Sequence, residues 1–278
     1  MNLTNAKDRR ERFHQLHQQG CFVIPNPWDI GSAKLLQGLG FQALAGTSSG
    51  FAWSRGHADG QMSRDAVLAH LRELAAATEL PVNADFESGY ADTPEGVAES
   101  VRMAVATGVA GLSIEDASGN PAAPIRTLDD ALARLRAARA AIDGEAGPGA
   151  AVLLVGRAEN FLHGRPDLDD TIARLKAYAA AGADCLYAPG LRTREQIEAV
   201  VAAVAPKPVN LLIGATSEFS VADVAAMGVR RISVGGALAR AAWGGFLRAA
   251  RGLAETGRFD AFDGAAAGSE LNRLLGGD

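Results

Sequence analysis

Residues 81–90 read Pro-Val-Asn-Ala-Asp-Phe-Glu-Ser-Gly-Tyr, a short apolar run that ends in two acids and a glycine turn. Because side chains alternate along a strand, we expect Asp85 and Glu87 on the same face, about 7 Å apart. Two acids on one face repel each other unless a cation or a proton lies between them. Residues 111–116, Gly-Leu-Ser-Ile-Glu-Asp, repeat the same design. Acids at the ends of two strands predict a divalent metal site at the mouth of a parallel barrel.

The rest of the chain alternates short apolar runs with longer helical patterns, without an internal break in composition. The predicted strands cover 21–24, 41–45, 81–85, 111–115, 151–157, 184–188, 208–213 and 231–234. The predicted helices that follow them cover 30–39, 63–78, 94–107, 128–142, 168–181, 194–204, 221–227 and 237–251. Loops are expected over 46–50 and 54–61, a polar lead-in helix over 6–19, and one more helix near Glu270.

Eight strand–helix units predict an α/β fold, a single (β/α)8 TIM barrel. The 278 residues match the usual size of one such barrel, and the predicted domain is the whole chain, 1–278. The barrel core is expected over about 20–251, between the lead-in helix and a polar C-terminal tail. An open, doubly wound sheet is the alternative, but eight regular units favour closure.

Charge and composition narrow the class of partner. The net charge is −5, and the sequence shows no stripe of Lys and Arg, so we expect no nucleic-acid partner. No apolar run reaches the roughly 18 residues that a membrane span requires. Cys21 and Cys185 lie apart in apolar runs, which is typical of buried thiols in a reducing compartment. We therefore expect a cytoplasmic protein without a membrane partner.

Function in a (β/α)8 barrel lies where the strands end. Acids on neighbouring strands suit Mg²⁺, which prefers oxygen ligands and keeps several waters, and an arginine with hydroxyl groups can hold an anionic substrate. A glycine pair after the last strand, residues 235–236, also fits a phosphate site of another barrel class, but tight packing explains it better. The candidates at the strand ends are Trp28, Thr47, Ser48, Ser49, Asp59, Asp85, Glu87, Glu115, Arg157, Glu159 and Asn210.

Four motifs in order resemble the isocitrate lyase/phosphoenolpyruvate mutase superfamily over roughly residues 20 to 240. They are Pro-Asn-Pro-Trp-Asp at 25–29, Asp-Phe-Glu-Ser-Gly-Tyr at 85–90, Ser-Ile-Glu-Asp at 113–116 and Val-Gly-Arg-Ala-Glu at 155–159. The resemblance implies a homodimer or homotetramer, with the last helix exchanged between subunits.

The resemblance also implies a metal site. Asp85 would bind Mg²⁺, or Mn²⁺, directly, while Glu87 and Glu115 would hold waters bound to the metal. Asp59 would support the metal site or a closing loop.

The substrate implied by the resemblance is a small 2-oxo acid. Thr47, Ser48 and Ser49 would bind its carboxylate, and Arg157 would hold it and stabilise an enolate. The remaining strand-end candidates complete the set. Glu159 joins Arg157 and Asp59 in the catalytic group, and Trp28 and Asn210 belong to the substrate-binding group.

Residues 117–125, Ala-Ser-Gly-Asn-Pro-Ala-Ala-Pro-Ile, depart from the family's lyases. Those lyases carry a Lys-(Lys/Arg)-Cys-Gly-His loop here, and its cysteine is the general acid or base. Without it, the resemblance favours a lyase or decarboxylase acting on oxaloacetate, through an enolate. Phosphonopyruvate hydrolysis or phosphoenolpyruvate mutase chemistry is the alternative, and a 2-oxo acid binding protein with little turnover is the alternative outside enzymology.

Overall fold

A computed structural model describes residues 5–145 and 151–276. Eight strands lie within these ranges, each close to its predicted position. They are β1 (Phe22–Ile24), β2 (Leu44–Ala45), β3 (Val82–Asp85), β4 (Gly111–Glu115), β5 (Leu153–Arg157), β6 (Cys185–Tyr187), β7 (Val209–Leu212) and β8 (Arg231–Ser233).

Helices alternate with these strands along the described chain. They are α1 (Ala6–Leu16), α2 (Ile30–Gly38), α3 (Ser48–Ser54), α4 (Arg64–Ala77), α5 (Pro94–Val105), α6 (Leu128–Glu145), α7 (Leu168–Ala180), α8 (Arg194–Val204), α9 (Val221–Ala226), α10 (Ala237–Thr256) and α11 (Gly268–Gly276), with a short 3₁₀ helix at Asp260–Phe262. Capping residues explain several starts: Asp29 and Ser32 form a capping box at α2, and Ser63 caps α4. None of these helices is long and apolar enough to cross a membrane within the described residues.

The strands are parallel and form one sheet in the order β1-β8-β7-β6-β5-β4-β3-β2. A hydrogen bond from the Ala45 backbone N–H to the Pro25 carbonyl oxygen, 3.0 Å long, links β2 to the end of β1. The side-chain amide of Asn26 donates a second bond of 2.7 Å to the Gly46 carbonyl oxygen. The sheet is therefore a nearly closed ring, which confirms the predicted (β/α)8 barrel.

The N-terminal helix α1 plugs the bottom of this ring. Phe13 on α1 is fully buried in the barrel interior, beside Phe22, Val155 and Cys185. Gly111 makes this contact possible, since a Cβ there would lie 2.6 Å from the Phe13 ring. The predicted lead-in helix is thus part of the barrel core.

One predicted loop was wrong. Residues 46–50 contain the start of helix α3, because the Thr47 side chain accepts a hydrogen bond from the Gly50 backbone N–H and caps the helix. The run of small residues that predicted a loop is needed for close packing: a Cβ at Gly50 would lie 2.9 Å from the Trp28 Cβ.

Helix α10 projects from the barrel, and Ala239 is the one buried residue within Ala237–Thr256. Its large apolar side chains are exposed, with 59% of Phe246 accessible to solvent. The chain then returns to the barrel through α11, where Leu274 packs over Gly38 of α2.

Candidate active site

The side chain of Arg157, at the end of β5, is the centre of the polar cluster at the barrel mouth. One terminal nitrogen, Nη1, lies 3.2 Å from an Asp85 carboxylate oxygen and 3.1 Å from a Glu115 carboxylate oxygen. Its Nε donates to Glu159, two residues further along the chain. Three carboxylates on three successive strand ends thus hold one partly buried guanidinium. Burial lowers its pKa, but Glu115 and Glu159 more than compensate and hold it well above the usual value.

The other oxygen of Asp85 faces the segment that follows β2. It accepts hydrogen bonds from the Ser48 backbone N–H at 3.0 Å and from the Ser48 hydroxyl at 2.9 Å. The Thr47 and Ser49 hydroxyls lie 3.1 Å from each other. The strand ends of β2 and β3 are therefore linked through the same residues for which sequence patterns predict anion and metal binding.

The carboxylates around Arg157 outnumber the positive charge available to them. Burial raises the pKa of Glu115 well above its usual value, and Glu159 and Asp85 add repulsion that Arg157 only partly offsets. Burial also raises the pKa of Glu87 and of the more exposed Asp59, and each of these acids is further raised by the charge of Asp85. This cluster carries an excess of negative charge, which a bound cation would relieve.

The donor set fits a hydrated, hard cation. Carboxylate oxygens are the ligands that Mg²⁺ prefers, and Mg²⁺ is usually held by only one or two protein carboxylates with several waters. Across residues 5–145 and 151–276, no three Asp, Glu, His or Cys side chains lie close enough together to ligate one ion directly. Asp85 as a direct ligand, with Glu87 and Glu115 acting through water, remains the prediction.

The expected strand geometry of Glu87 was wrong. Strand β3 ends at Asp85, and Glu87 has φ of 45°, in the left-handed region. The chain therefore turns instead of alternating, and the Glu87 carboxylate accepts a hydrogen bond of 2.7 Å from the Tyr90 hydroxyl. Glu87 stays near Asp85 because of this turn, which also places its carbonyl oxygen 3.0 Å from the Glu115 backbone N–H.

A cavity of about 220 Å³ adjoins the cluster, with Asp85 and Arg157 in its wall. Six of the predicted site residues line this cavity: Thr47, Ser48, Ser49, Asp59, Asp85 and Arg157. Asn26, which follows β1, lines it as well. The volume is sufficient for a small 2-oxo acid together with a metal ion.

Five predicted site residues lie outside this cavity wall: Trp28, Glu87, Glu115, Glu159 and Asn210. Glu159 is almost fully buried behind Arg157, so it positions the guanidinium and does not face the cavity. Asn210 is fully buried, and its amide contacts Arg231 and Ser233. The backbone N–H of Trp28 donates to the Ser32 hydroxyl at the start of α2.

Sequence patterns missed several residues of the cavity wall, among them Tyr187, Arg231 and Ser233. The guanidinium of Arg157 lies over the Tyr187 ring, 5.1 Å from its centre, and the Tyr187 hydroxyl hydrogen-bonds to Ser233. Burial raises the pKa of Tyr187 to about 12, so the hydroxyl keeps its proton at neutral pH. Side-chain alternation along β6 and β8 was the available signal, since it turns these three residues toward the inside of the ring, Tyr187 and Ser233 at the ends of their strands and Arg231 at the start of β8.

Residues 117–125 form a compact hairpin with a bridge between Ala117 and Ile125. The Ser118 hydroxyl accepts from the Asn120 backbone N–H at 2.9 Å and donates to the Ala123 carbonyl oxygen at 2.5 Å. None of these residues lines the cavity in the described part of the chain. Closure of this segment as a lid stays a prediction.

Fold and site together define a class: a (β/α)8 barrel with a carboxylate and arginine centre at the carboxyl ends of its strands. Residues 13–254 match the phosphoenolpyruvate phosphomutase family, and the chain belongs to it. This confirms the resemblance inferred from the four motifs.

Relatives in this family place the chain among lyases and mutases. A solved structure from Burkholderia cenocepacia J2315, described as a candidate lyase/mutase, is 48% identical, with a TM-score of 0.93 and 98% of each chain covered. An oxaloacetate decarboxylase of Paraburkholderia xenovorans is 30% identical over 249 residues, covering 83% of this chain and 76% of that protein. An oxaloacetate acetylhydrolase solved with its product oxalate is 26% identical, with a TM-score of 0.85, covering 98% of this chain and 95% of the other. Similarity to these proteins supports a C–C lyase type of enzyme.

Proposed function

We propose that this protein is a Mg²⁺-dependent enzyme that decarboxylates oxaloacetate, breaking the C3–C4 bond so that CO2 leaves and its bonding electron pair forms the enolate of pyruvate. The observation that carries the proposal is the partly buried guanidinium of Arg157, held by Asp85, Glu115 and Glu159 beside a small cavity. Relatives named oxaloacetate decarboxylase support the choice of substrate.

Residues of this chain would divide the work between binding and charge stabilisation. Arg157 faces the cavity and can pair with a carboxylate or an enolate oxygen, while Glu159 fixes its orientation from behind. Hydroxyls of Thr47 and Ser49 also line the cavity and can donate to the substrate. Tyr187, still protonated at neutral pH, offers one more donor.

The metal would be held by Asp85 directly and by Glu87 and Glu115 through water. When bound, Mg²⁺ would draw negative charge from the ketone oxygen as the bond breaks, which is the stabilisation that decarboxylation requires.

The altered segment 117–125 favours decarboxylation over cleavage of isocitrate-type substrates. It contains no side chain that titrates near neutrality, so it supplies no general acid or base. Loss of CO2 leaves no proton to be handled on the departing fragment, whereas isocitrate-type cleavage requires one to be moved.

The test is pyruvate release from oxaloacetate and from 2-methylisocitrate, each measured with Mg²⁺ alone as the background. We expect oxaloacetate decarboxylation above that background and no cleavage of 2-methylisocitrate. Asp85→Ala should abolish the enzymatic rate, and Asp129→Ala, an exposed acid on α6, serves as the matched control. Rapid cleavage of 2-methylisocitrate, or oxaloacetate loss at the background rate, would contradict the proposal. Tight oxalate binding without turnover would instead indicate a 2-oxo acid binding protein.

Chemistry at a C–P bond is the second candidate, because the matching family is named for phosphoenolpyruvate phosphomutase. Release of phosphate from phosphonopyruvate, or its conversion to phosphoenolpyruvate, in the same assay would favour this candidate over decarboxylation.

We also propose that the protein works in the cytoplasm, where free thiols such as Cys21 and Cys185 persist. We further propose that it forms a homodimer or homotetramer in which α10 is exchanged between subunits. The exposed apolar side chains of α10, among them Trp243 and Phe246, support a second copy as the partner. Light scattering should give a mass of two or four subunits, and Phe246→Glu should lower it. A monomeric wild-type protein would contradict this assembly.

A further inference from the structure

A second cavity of about 710 Å³ opens from the small one. The two share a wall formed by Ser49, Asp59, Leu162, Leu212, Gly235 and Gly236. A four-carbon acid such as oxaloacetate fits within the smaller cavity of about 220 Å³. The reacting part of such a substrate therefore does not need the larger cavity. This larger cavity lies on the side of the β6, β7 and β8 strand ends.

The walls of this larger cavity are mainly apolar. Trp53 of α3 lines one side, and Ile213 and Phe219, which follow β7, line another. Apolar walls of this kind bind hydrocarbon because burial removes it from water, at about 25 cal/mol per Å². The chemistry of the walls therefore suits an alkyl chain.

Two arginines lie at the rim of the cavity, Arg192 and Arg240. Neither forms an ion pair with a carboxylate of the described residues, although Arg194, two residues from Arg192, pairs with Glu198 at 3.2 Å. Arg240 donates to the Gly214 carbonyl oxygen. Glu218 lies on the same rim, while Asp59 lies in the wall shared with the small cavity, so the outer rim carries two guanidinium groups against one carboxylate. An anionic group at the far end of a ligand would complement them.

We propose that this cavity binds the C3 substituent of a larger 2-oxo acid, an apolar chain that ends in a carboxylate. The inference rests on the proposed function, because the reacting 2-oxo acid must occupy the small cavity beside Arg157. The substrate class is then a C3-substituted oxaloacetate, with the alkyl part against Trp53 and Phe219 and the terminal carboxylate at Arg192 and Arg240.

The test compares oxaloacetate with two derivatives, one bearing butyl and one bearing 4-carboxybutyl at C3. We expect kcat/KM for the carboxybutyl compound to exceed that for oxaloacetate at least tenfold, with the butyl compound in between. Arg192→Ala should reduce the ratio of carboxybutyl to butyl kcat/KM about fivefold, the scale for a rim ion pair. Ala215→Trp fills the cavity and should reduce the preference for both derivatives. Arg136→Ala, an exposed arginine on α6, is the control and should leave all ratios unchanged.

Failure of this inference is distinct from failure of the proposed function. If oxaloacetate is decarboxylated but neither derivative is preferred, the tail site is refuted and the decarboxylase stands. If no compound is turned over, the carboxybutyl compound is titrated by calorimetry instead. Binding that is at least tenfold tighter than that of oxaloacetate, and lost in Ala215→Trp, supports the tail site; equal binding in both proteins refutes it.

Discussion

His17, at the end of the helix that plugs the barrel, should make the stability of the protein fall in mild acid. The imidazole Nδ1 lies 2.7 Å from the Phe13 carbonyl oxygen, and Nε2 lies 3.4 Å from a nitrogen of Arg231. Arg231 is a donor, so the ring must accept at Nε2 and carry its proton at Nδ1. Burial, and then the charge of Arg231, lower the pKa of His17 from 6.5 to about 3. His14 and Arg230 contribute repulsion of the same sign, while the bond to Phe13 opposes it.

The sign of the effect follows from proton linkage. Between pH 3 and 6.5 the unfolded chain binds a proton at His17 that the folded chain excludes, so stability decreases as the pH falls. At pH 5 the difference amounts to about 2 kcal/mol, since each pKa unit corresponds to about 1.4 kcal/mol. For a chain of this size, that is a fall in Tm of about 4 °C attributable to one side chain.

The measurement is thermal or urea unfolding of the wild type and His17→Gln at pH 7, 6 and 5. Glutamine is neutral throughout, so the stability difference between the two proteins should shift by about 2 kcal/mol in favour of the variant from pH 7 to pH 5. His57→Gln, in an exposed loop, controls for the removal of one imidazole. Parallel pH profiles for wild type and His17→Gln would refute the reasoning.

Three further predictions concern the site and its support. Gly111→Ala should destabilise the fold by about 2 kcal/mol in urea unfolding, because the new Cβ would lie 2.6 Å from the Phe13 ring; an unchanged midpoint would show that α1 shifts without cost. Asp85→Ala should remove Mg²⁺ or Mn²⁺ binding in isothermal titration, and unchanged affinity would eliminate the metal assignment. Arg157→Lys should lower turnover about 100-fold, because a lysine cannot reproduce the planar contacts to three carboxylates; near wild-type kcat/KM would make Arg157 structural.

Periodicity was sufficient to predict the barrel because each unit repeats the same pattern. The boundaries of β4 and α8 were correct to the residue, and Asp29 caps α2 as expected. Acids and an arginine at strand ends were also sufficient to predict the cluster around Arg157, since the ends of parallel strands meet at one edge of the barrel.

Predictions failed where the backbone leaves regular strand geometry, or where a side chain lies behind the residues that face the cavity. The left-handed turn at Glu87 cannot be derived from alternation, because non-glycine residues rarely adopt positive φ. Glu159 has the same residue type as the site acids, yet it lies behind Arg157. Alternation turns Tyr187 and Arg231 toward the barrel interior, but it does not distinguish residues that line the cavity from ordinary interior residues.

The side-chain amide of Asn26 links formation of the binding site to closure of the barrel. Its oxygen accepts from the backbone N–H groups of Val234 and Gly235, both at 2.9 Å, while its nitrogen donates to Gly46 across the seam between β1 and β2. One side chain therefore joins the first strand to both of its neighbours at the mouth of the barrel. Completing the ring and setting the width of the cavity are the same event, so a chain with its last strand undocked has no binding site. Ligand binding by this protein is consequently a direct report on whether the ring is closed.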